Sequence, residues 1–389
     1  MIGIKQIRST ILTSFLLRHT LASQQFCPGY STNNANYQQN SNQDCKNIQS
    51  NQNENNHHLN QVNEQSSSDH VIDKFSLNLS LKKVSQTFTA HEQPEGDGAR
   101  VRRFIGTRQL PSLDPFLMLD WFNVKLPAGF PDHPHRGFET VTYMLSGEML
   151  HEDFKGHSGK IGPGDIQWMT AGKGIMHSEM PGSFEEPAYG FQLWLNLNKV
   201  NKMREPRYQE FKSDSIPVYK GGTQDSTNNS QNDSLISAKV ISGEVLRVKG
   251  PIEAITPTYY IDFHLKAGGE YNHVIPKDWN SMIVVHEGSL QVQDSLKLLS
   301  KGDCAVFELN KNEDQIIRLK ADQTNSTKFI LLAGKPLNEP IAQRGPFVMN
   351  TQQEIQEAIR DFQYGKNGFE GAAQWQSKIQ NMRYRQQNK

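Results

Sequence analysis

Two short stretches of this 389-residue chain carry the residue types of a metal site. Asp132-His-Pro-His-Arg-Gly-Phe-Glu139 holds His133 and His135. Ala171-Gly-Lys-Gly-Ile-Met-His-Ser-Glu179 holds His177 and Glu179. Within each stretch the pair is spaced i, i+2. Residues two apart on a β-strand project to the same face, so two neighbouring strands would aim three imidazoles and a carboxylate into one cavity. Such a donor set suits a first-row transition metal such as iron, with coordination positions left open for chemistry. Unrelated surface histidines are the bland alternative. The matched pairing in a strand-and-glycine context argues against it.

The flanking residues say how the ligands would be held. Pro134 cannot donate a ladder hydrogen bond, which predicts an edge or a bulge where the strand meets the site. Gly172 and Gly174 permit a tight turn before His177. Glu139 shares parity with His133 and His135, so an unbroken strand would also point it inward. Val141, Tyr143 and Leu145 continue that parity and are expected to fill the barrel. Arg136 has two readings, a pocket-mouth cation for an anionic substrate or an exposed salt bridge. His151 and His157 read as polar loop residues.

The supporting elements are short strands. Glu139–Leu145 is rich in β-branched and aromatic residues and stops at Ser146-Gly147. Phe191, Leu193, Leu195 and Leu197 alternate with Gln192, Trp194 and Asn196, the period of a half-buried strand. Further strands are expected at 166–170, 258–264, 281–286, 289–293, 304–307 and 328–332, and this spacing favours a sandwich or barrel. The halves echo each other. Tyr143-Met-Leu-Ser-Gly-Glu148 resembles Val285-His-Glu-Gly-Ser289, and Gly162-Pro-Gly-Asp165 resembles Ser300-Lys-Gly-Asp303. An internal duplication of one β-barrel unit explains both. Only the C-terminal end reads as helical. Thr351-Gln-Gln-Glu354 is a capping-box pattern, with Ile355, Ala358, Ile359 and Phe362 at helical spacing before Gly365 and Gly368.

Composition bounds the rest. Lys+Arg and Asp+Glu are both 41, which leaves no basic excess for direct nucleic-acid binding. No apolar run approaches the length that spans a bilayer, so a membrane is not an expected partner. Three scattered cysteines (Cys27, Cys45 and Cys304) do not make a disulfide framework. The start is basic and free of acids, with Lys5, Arg8 and Arg18 among Ile7, Ile11, Leu12 and Phe15. That is the pattern of an organelle transit peptide. A short secretory segment over Ile11–Leu17 and an uncommitted tail are its rivals. Residues 31–65 hold 19 Asn or Gln among 35 and cannot bury enough apolar surface to offset chain entropy. A second polar patch, Gly221–Asp233, reads as a loop or domain connection.

At this density the motifs resemble a known family. Asp132-His-Pro-His-Arg-Gly-Phe-Glu-Thr-Val141, His151-Glu-Asp-Phe154, Pro163-Gly-Asp165, Gln167-Trp-Met-Thr-Ala-Gly172, His177, Glu179-Met-Pro181 and Gly345-Pro-Phe-Val-Met-Asn-Thr351 are similar to the pirin family of the cupin superfamily. The resemblance runs from about Val84 to about Ile379. It implies an all-β fold of two cupin-type antiparallel barrels packed face to face; the short C-terminal helix and the disordered N-terminal extension are read from the residues, and the extension and the polar insertion near 221–233 depart from the family pattern. Together with the composition, the resemblance organises the chain as 1–75, a possible targeting segment plus disordered Asn/Gln-rich linker, 76–220, a metal-binding barrel, and 221–235, a polar loop. A metal-free barrel over 236–345 and a helix and tail over 346–389 follow. It also implies one Fe(II) per chain in the N-terminal barrel, on His133, His135, His177 and Glu179. General cupins carry a glutamate near the place of Glu139, which would then orient a ligand; the family pattern favours Glu179. In the second half the comparable position reads Ile275-Pro-Lys-Asp-Trp279, without the paired histidines.

Two roles follow from the resemblance. One is a quercetin 2,3-dioxygenase-type enzyme that takes a small aromatic substrate such as a flavonol, and O2, with Glu179 as the catalytic base. The other is a redox-sensing, iron-dependent coregulator that acts on a transcription-related protein. The chain is read as a monomer, located in mitochondria if the N-terminal segment is a transit peptide and otherwise in nucleus or cytoplasm. Every proposed ligand lies beyond Asp69, so a chain beginning near Val71 is expected to stay soluble and to bind as much metal as the full chain. Metal analysis of the two purified proteins checks this, and loss of metal on truncation would refute it.

Overall fold

Short alternating segments fold into two barrels, each a seven-stranded sheet curved against a four-stranded one. The computed structural model describes residues 79–221, 234–293, 295 and 297–388. The N-terminal segment, the Asn/Gln tract, Cys27, Cys45 and residues 222–233 of the polar insertion lie outside them.

In the first barrel the large sheet runs in the order Arg207–Phe211, Ile166–Thr170, Phe138–Ser146, Ala188–Asn196, Phe116–Val124, Ala99–Ile105, Glu92–Glu95. The small sheet is Phe130–His135, Ile175–Pro181, Met149–Asp153, Ser158–Ile161. The second barrel repeats the plan. Its large sheet runs Val84–Thr89, Asp303–Phe307, Asn280–Glu287, Thr327–Gly334, Thr258–Leu265, Ile236–Ser242, Val218–Gly221. Its small sheet is Glu270–Ile275, Gln315–Ala321, Ser289–Val292, Leu299–Ser300.

The sequence echoes fall on matching turns. Gly164 and Gly302 both take left-handed φ values, 79° and 93°. In each turn an aspartate accepts from the backbone three residues back: Asp165 from Gly162 N–H at 3.0 Å and Asp303 from Ser300 N–H at 2.9 Å. The strand Val84–Thr89 lies in the range read as the first barrel, yet it hydrogen-bonds to Asp303–Phe307 of the second. Its counterpart at the matching edge of the first barrel is Arg207–Phe211, paired with Ile166–Thr170.

The two large sheets meet face to face. Trp121, Val141, Tyr143, Trp168 and Phe191 from one pack with Tyr260, Met282, Val284, Cys304 and Ile330 from the other. Val141 and Tyr143 therefore face this interface, and Leu145 packs against the same cluster, which corrects the expectation that they fill the first barrel. Their even-numbered neighbour Thr142 points inward. The Tyr143 hydroxyl donates to Asp262 Oδ2 at 2.7 Å across the interface, and Asp262 Oδ1 lies 2.9 Å from His286 Nε2. Cys304 is a buried free thiol, pushed up to about 12 by burial.

The helix forms at Gln352–Tyr364 with its capping box in place: Thr351 Oγ1 accepts from Glu354 N–H, and Glu354 accepts from Thr351 N–H. Gly365 ends it at φ 62°. Ile355, Ala358 and Phe362 pack on Phe347, Phe369 and Met176, so the chain end returns to the first barrel. Because both barrels share one apolar interface, thermal unfolding is expected to be a single transition. Phe191→Ala, at 0 % exposure, should lower unfolding free energy by about 3–5 kcal/mol. Calorimetry checks both; two resolved transitions would contradict the shared core.

Candidate metal centre

The antiparallel register brings the histidines together. His177 sits directly opposite His133, and Ile175 opposite His135, between strands Ile175–Pro181 and Phe130–His135. The Nε2 atoms of His133 and His177 are 3.0 Å apart. One ring nitrogen from each of His133, His135 and His177 falls within 4.8 Å of the others, and all three residues are buried. Pro134 is accommodated because Phe130–His135 is an edge strand, as its missing N–H requires.

The chemistry of this set fits a cation. Burial lowers the His133 imidazole to about 4. Burial and mutual repulsion hold His135 and His177 well below the ordinary range. The three rings are therefore neutral at pH 7. His133 Nδ1 lies 2.8 Å from the Pro131 carbonyl; as the donor there, it leaves Nε2 as a bare lone pair aimed at the cluster. Nδ1 of His135 and of His177 are buried with no hydrogen-bond partner, so no bond at Nδ1 fixes the tautomer of those two rings. The arrangement can hold a metal ion.

Glu179 follows a register shift after His177. Its Oε2 lies 4.0 Å from His177 Nε2, and its Oε1 is 3.0 Å from Thr142 Oγ1. Burial raises its pKa. Glu139 lies elsewhere. Its strand starts only at Phe138, after Arg136 and a left-handed Gly137 (φ 89°), so the parity shared with His135 is broken. A Cβ on Gly137 would lie 1.9 Å from the Val348 carbonyl oxygen. The Glu139 carboxyl accepts from Thr170 at 2.6 Å and is pushed up to about 7, chiefly by burial. Among the described residues it makes no hydrogen bond or ion pair with the histidines.

Arg136 occupies neither of its expected positions. At 1 % exposure it donates to the Lys173 carbonyl (2.6 Å), Asp361 (2.8 Å) and the Asn367 carbonyl (2.7 Å), and it lies over the Phe369 ring. His151 lies in strand Met149–Asp153, buried, with Nε2 3.0 Å from Glu210. His157 Nδ1 lies 2.9 Å from Asp153.

The cavity beside the histidines has a polar row that sequence reading missed. Thr142, Gln192, Asp120 and Arg103 are successive cross-strand partners. Arg103 donates to both oxygens of Asp120 (2.8 and 2.7 Å) and to Glu95 (2.7 Å). Trp194, Phe122, Phe130 and Met149 line the rest. The enclosed volume is about 50 Å3. The only advance signal of this row was a polar residue at alternate positions in otherwise apolar strands.

Sheet position also locates the second barrel's counterparts. His273 lies opposite Ile317, and Ile275 opposite Gln315, where the first barrel pairs His133 with His177 and His135 with Ile175. Ile317 and Ile275 are fully buried.

Two stacked seven-plus-four-stranded barrels with a buried histidine cluster in one define a bicupin. The chain belongs to the pirin family: the Pirin family model matches residues 98–195 and the model of the Pirin C-terminal cupin domain matches 260–368. Pirin from Rattus norvegicus is 49% identical over 306 residues, 78% of this chain and 99% of that protein. A pirin-like protein from Solanum lycopersicum is 48% identical over 303 residues, 77% of this chain and 96% of that protein. Among solved structures, a quercetin 2,3-dioxygenase from Acinetobacter baumannii aligns with a TM-score of 0.65 at 34% identity, covering 75% of this chain and 99% of that one.

The two glutamates are separable by experiment. Glu179→Gln should weaken metal binding more than Glu139→Gln, and His133→Ala with His177→Ala should abolish it, as read by metal analysis. Glu139 adds a pH test. Its folded pKa lies above its unfolded value, so its ionisation costs stability as pH rises from about 4.5 through 7. Glu139→Gln should therefore gain up to about 3 kcal/mol over the parent at pH 8 and nothing below pH 4.5. Denaturant titrations at the two pH values check this; an equal difference at both would contradict it.

Proposed function

We propose that His133, His135, His177 and Glu179 hold one iron(II) ion and that the protein is a dioxygenase of the quercetin 2,3-dioxygenase type. The observation that carries the reading is the buried cluster of three neutral imidazoles opening into an aromatic-lined cavity. The structural likeness to the Acinetobacter baumannii quercetin 2,3-dioxygenase supports it. Bound iron would supply a Lewis-acid and redox centre for the reaction of a flavonol with O2, which gives a ring-cleaved ester and carbon monoxide.

The protein's own groups have separate tasks. Glu179, its carboxyl raised by burial, takes the proton of the substrate hydroxyl. The Thr142 hydroxyl lies between Glu179 Oε1 at 3.0 Å and Gln192 Oε1 at 2.6 Å, and this contact positions the carboxyl. Trp194, Phe122 and Phe130 exclude water. At about 50 Å3 the cavity admits water or dioxygen but not a flavonol, so entry requires side chains to swing aside. Met149 and Met118, unbranched and adaptable, are the wall groups suited to this.

That small volume also favours a second reading. A redox-sensing coregulator needs no substrate space, and the C-terminal segment offers a route from the centre to the surface. Ser377 N–H donates to Asp132 Oδ2, and Lys378 N–H donates to Glu152 Oε2. Oxygen uptake and carbon monoxide release by the iron-loaded protein with quercetin decide between the two. The enzymatic reading expects both in equal amounts and their loss in His133→Ala. A protein that keeps its iron but consumes no oxygen would leave the regulatory reading.

A further inference from the structure

The cavity beside the histidines has a second charged end. Arg103 and Asp120 are direct cross-strand partners, an opposite-charge pair of the kind that a sheet face favours. Arg103 Nε donates to Asp120 Oδ1 at 2.8 Å, and its Nη2 donates to Asp120 Oδ2 at 2.7 Å. Glu95 closes the edge strand Glu92–Glu95 and accepts a further bond from Nη2 at 2.7 Å. The side chains of Arg103 and Asp120 are 9 % and 4 % exposed, and that of Glu95 is 19 % exposed. Asp120 is thus part of the wall, and Glu95 stands nearer the rim. All three line the same cavity as His133, His135 and Glu179.

The two ends are well separated. Thr142, which touches Glu179, and Arg103 lie three strand spacings apart, through Gln192 and Asp120. That is about 14 Å of backbone, at about 4.8 Å for each step. A ligand held at the histidines reaches Arg103 only if it carries a body of linked rings. Trp194, Phe122 and Phe130 give such a body apolar walls.

A buried guanidinium at the end of an apolar cavity is a natural receptor for a carboxylate. Here the protein fills that role itself, and does so twice. The bonds of Arg136 end on one carboxylate, Asp361, and on two carbonyls. Those of Arg103 end on two carboxylates, so the cluster carries one negative charge in excess. Each carboxylate oxygen has two lone pairs. Asp120 and Glu95 can therefore accept from a ligand while still holding Arg103.

We propose that the Arg103–Asp120–Glu95 cluster selects the substrate by charge. It receives an aromatic molecule whose far end is a neutral hydroxyl, and it excludes one that ends in a carboxylate. This rests on the reading of the cavity as the substrate site and narrows the class of substrate taken there. A hydroxyl donates to Asp120 or Glu95. A carboxylate only accepts, and it meets like charge where little water screens it.

The test compares two 3-hydroxyflavones that differ at one place, the para position of the outer ring. One carries a hydroxyl there and the other a carboxylate. Calorimetry on the iron-loaded full chain in the absence of oxygen gives both affinities. The hydroxyl ligand is expected to bind about 10–100-fold more tightly, as an uncompensated like charge would give. Glu95→Gln removes the excess charge at the rim and keeps the shape, so the two affinities should converge. Asp120→Asn leaves Arg103 one carboxylate and should favour the carboxylate ligand further. A merely structural role would weaken both ligands together and leave their ratio unchanged. Equal affinities in the parent overturn the proposal, as does a ratio unmoved by Glu95→Gln or the absence of binding by either ligand. Oxygen uptake is read separately. Uptake with no preference in binding overturns the charge selection alone. Preference without uptake supports the selection and overturns the dioxygenase reading.

Discussion

The cross-strand pair His133–His177 is the constraint on which the first barrel depends. Two imidazole Nε2 atoms face each other at 3.0 Å in a buried interior, where His177 N–H can donate to the His133 lone pair or a cation can take both nitrogens. No hydrophobic term favours that approach, so the strands must be held in register from outside. The edge strand that carries His133 and His135 pairs on one side only. Alternation turns the odd-numbered histidines inward and leaves Asp132 on the outer face, where Ser377 N–H donates to it at 3.1 Å. The C-terminal segment and the histidine cluster thus lie on opposite faces of one strand. On the next strand but one Glu152 does the same, accepting from Lys378.

Two buried cations fix the break that follows. Arg136 ties the chain just after His135 to the Lys173 carbonyl and to the C-terminal helix through Asp361. Lys202 takes the carbonyl of Gly137 and that of Val348. Each cation bridges the turn before His177 or the Arg136–Gly137 break to the returning chain end. Burying them is costly, and the cost is offset because Arg136 sets three of its five N–H donors, and Lys202 all three of its own, on oxygen atoms. The break itself has a chemical consequence. It resets strand parity, so Glu139 leaves the cavity face and Thr142 enters it to hold Glu179.

Much of this was legible in the sequence, and the rest was not for definite reasons. The gathering of His133, His135 and His177 was legible because a spacing of two on a strand keeps His133 and His135 on one face. The helix was legible because a capping box is local, and the duplicated turns were legible because an aspartate three residues after a turn start makes its own bond. Glu139, Val141 and Tyr143 were misplaced by one cause: parity holds only along an unbroken strand, and Gly137 interrupts it. The position of Arg136 depends on Asp361, more than two hundred residues away, and no local pattern reports that. Val84–Thr89 reads as a plain strand; its pairing with Asp303–Phe307 is a matter of topology. The Arg103–Asp120–Glu95 cluster likewise exists only once three strands are adjacent.

The two barrels show how little separates a cluster of imidazoles that can hold a metal from an apolar core. They share sheet order, turn geometry and matching edge strands, and differ where side chains meet inside the small sheet. There the second barrel has Ile275 and Ile317 at the places of His135 and His177. The surviving His273 is left among Tyr259, Phe263 and Tyr271, with burial lowering its pKa to about 4. One imidazole in such surroundings stays neutral and packs as an aromatic ring. Three imidazoles at the same depth repel one another and leave bare lone pairs converging on one point. The common fold therefore supplies position and dryness, and the number of nitrogens at that position decides whether the interior is a core or a site.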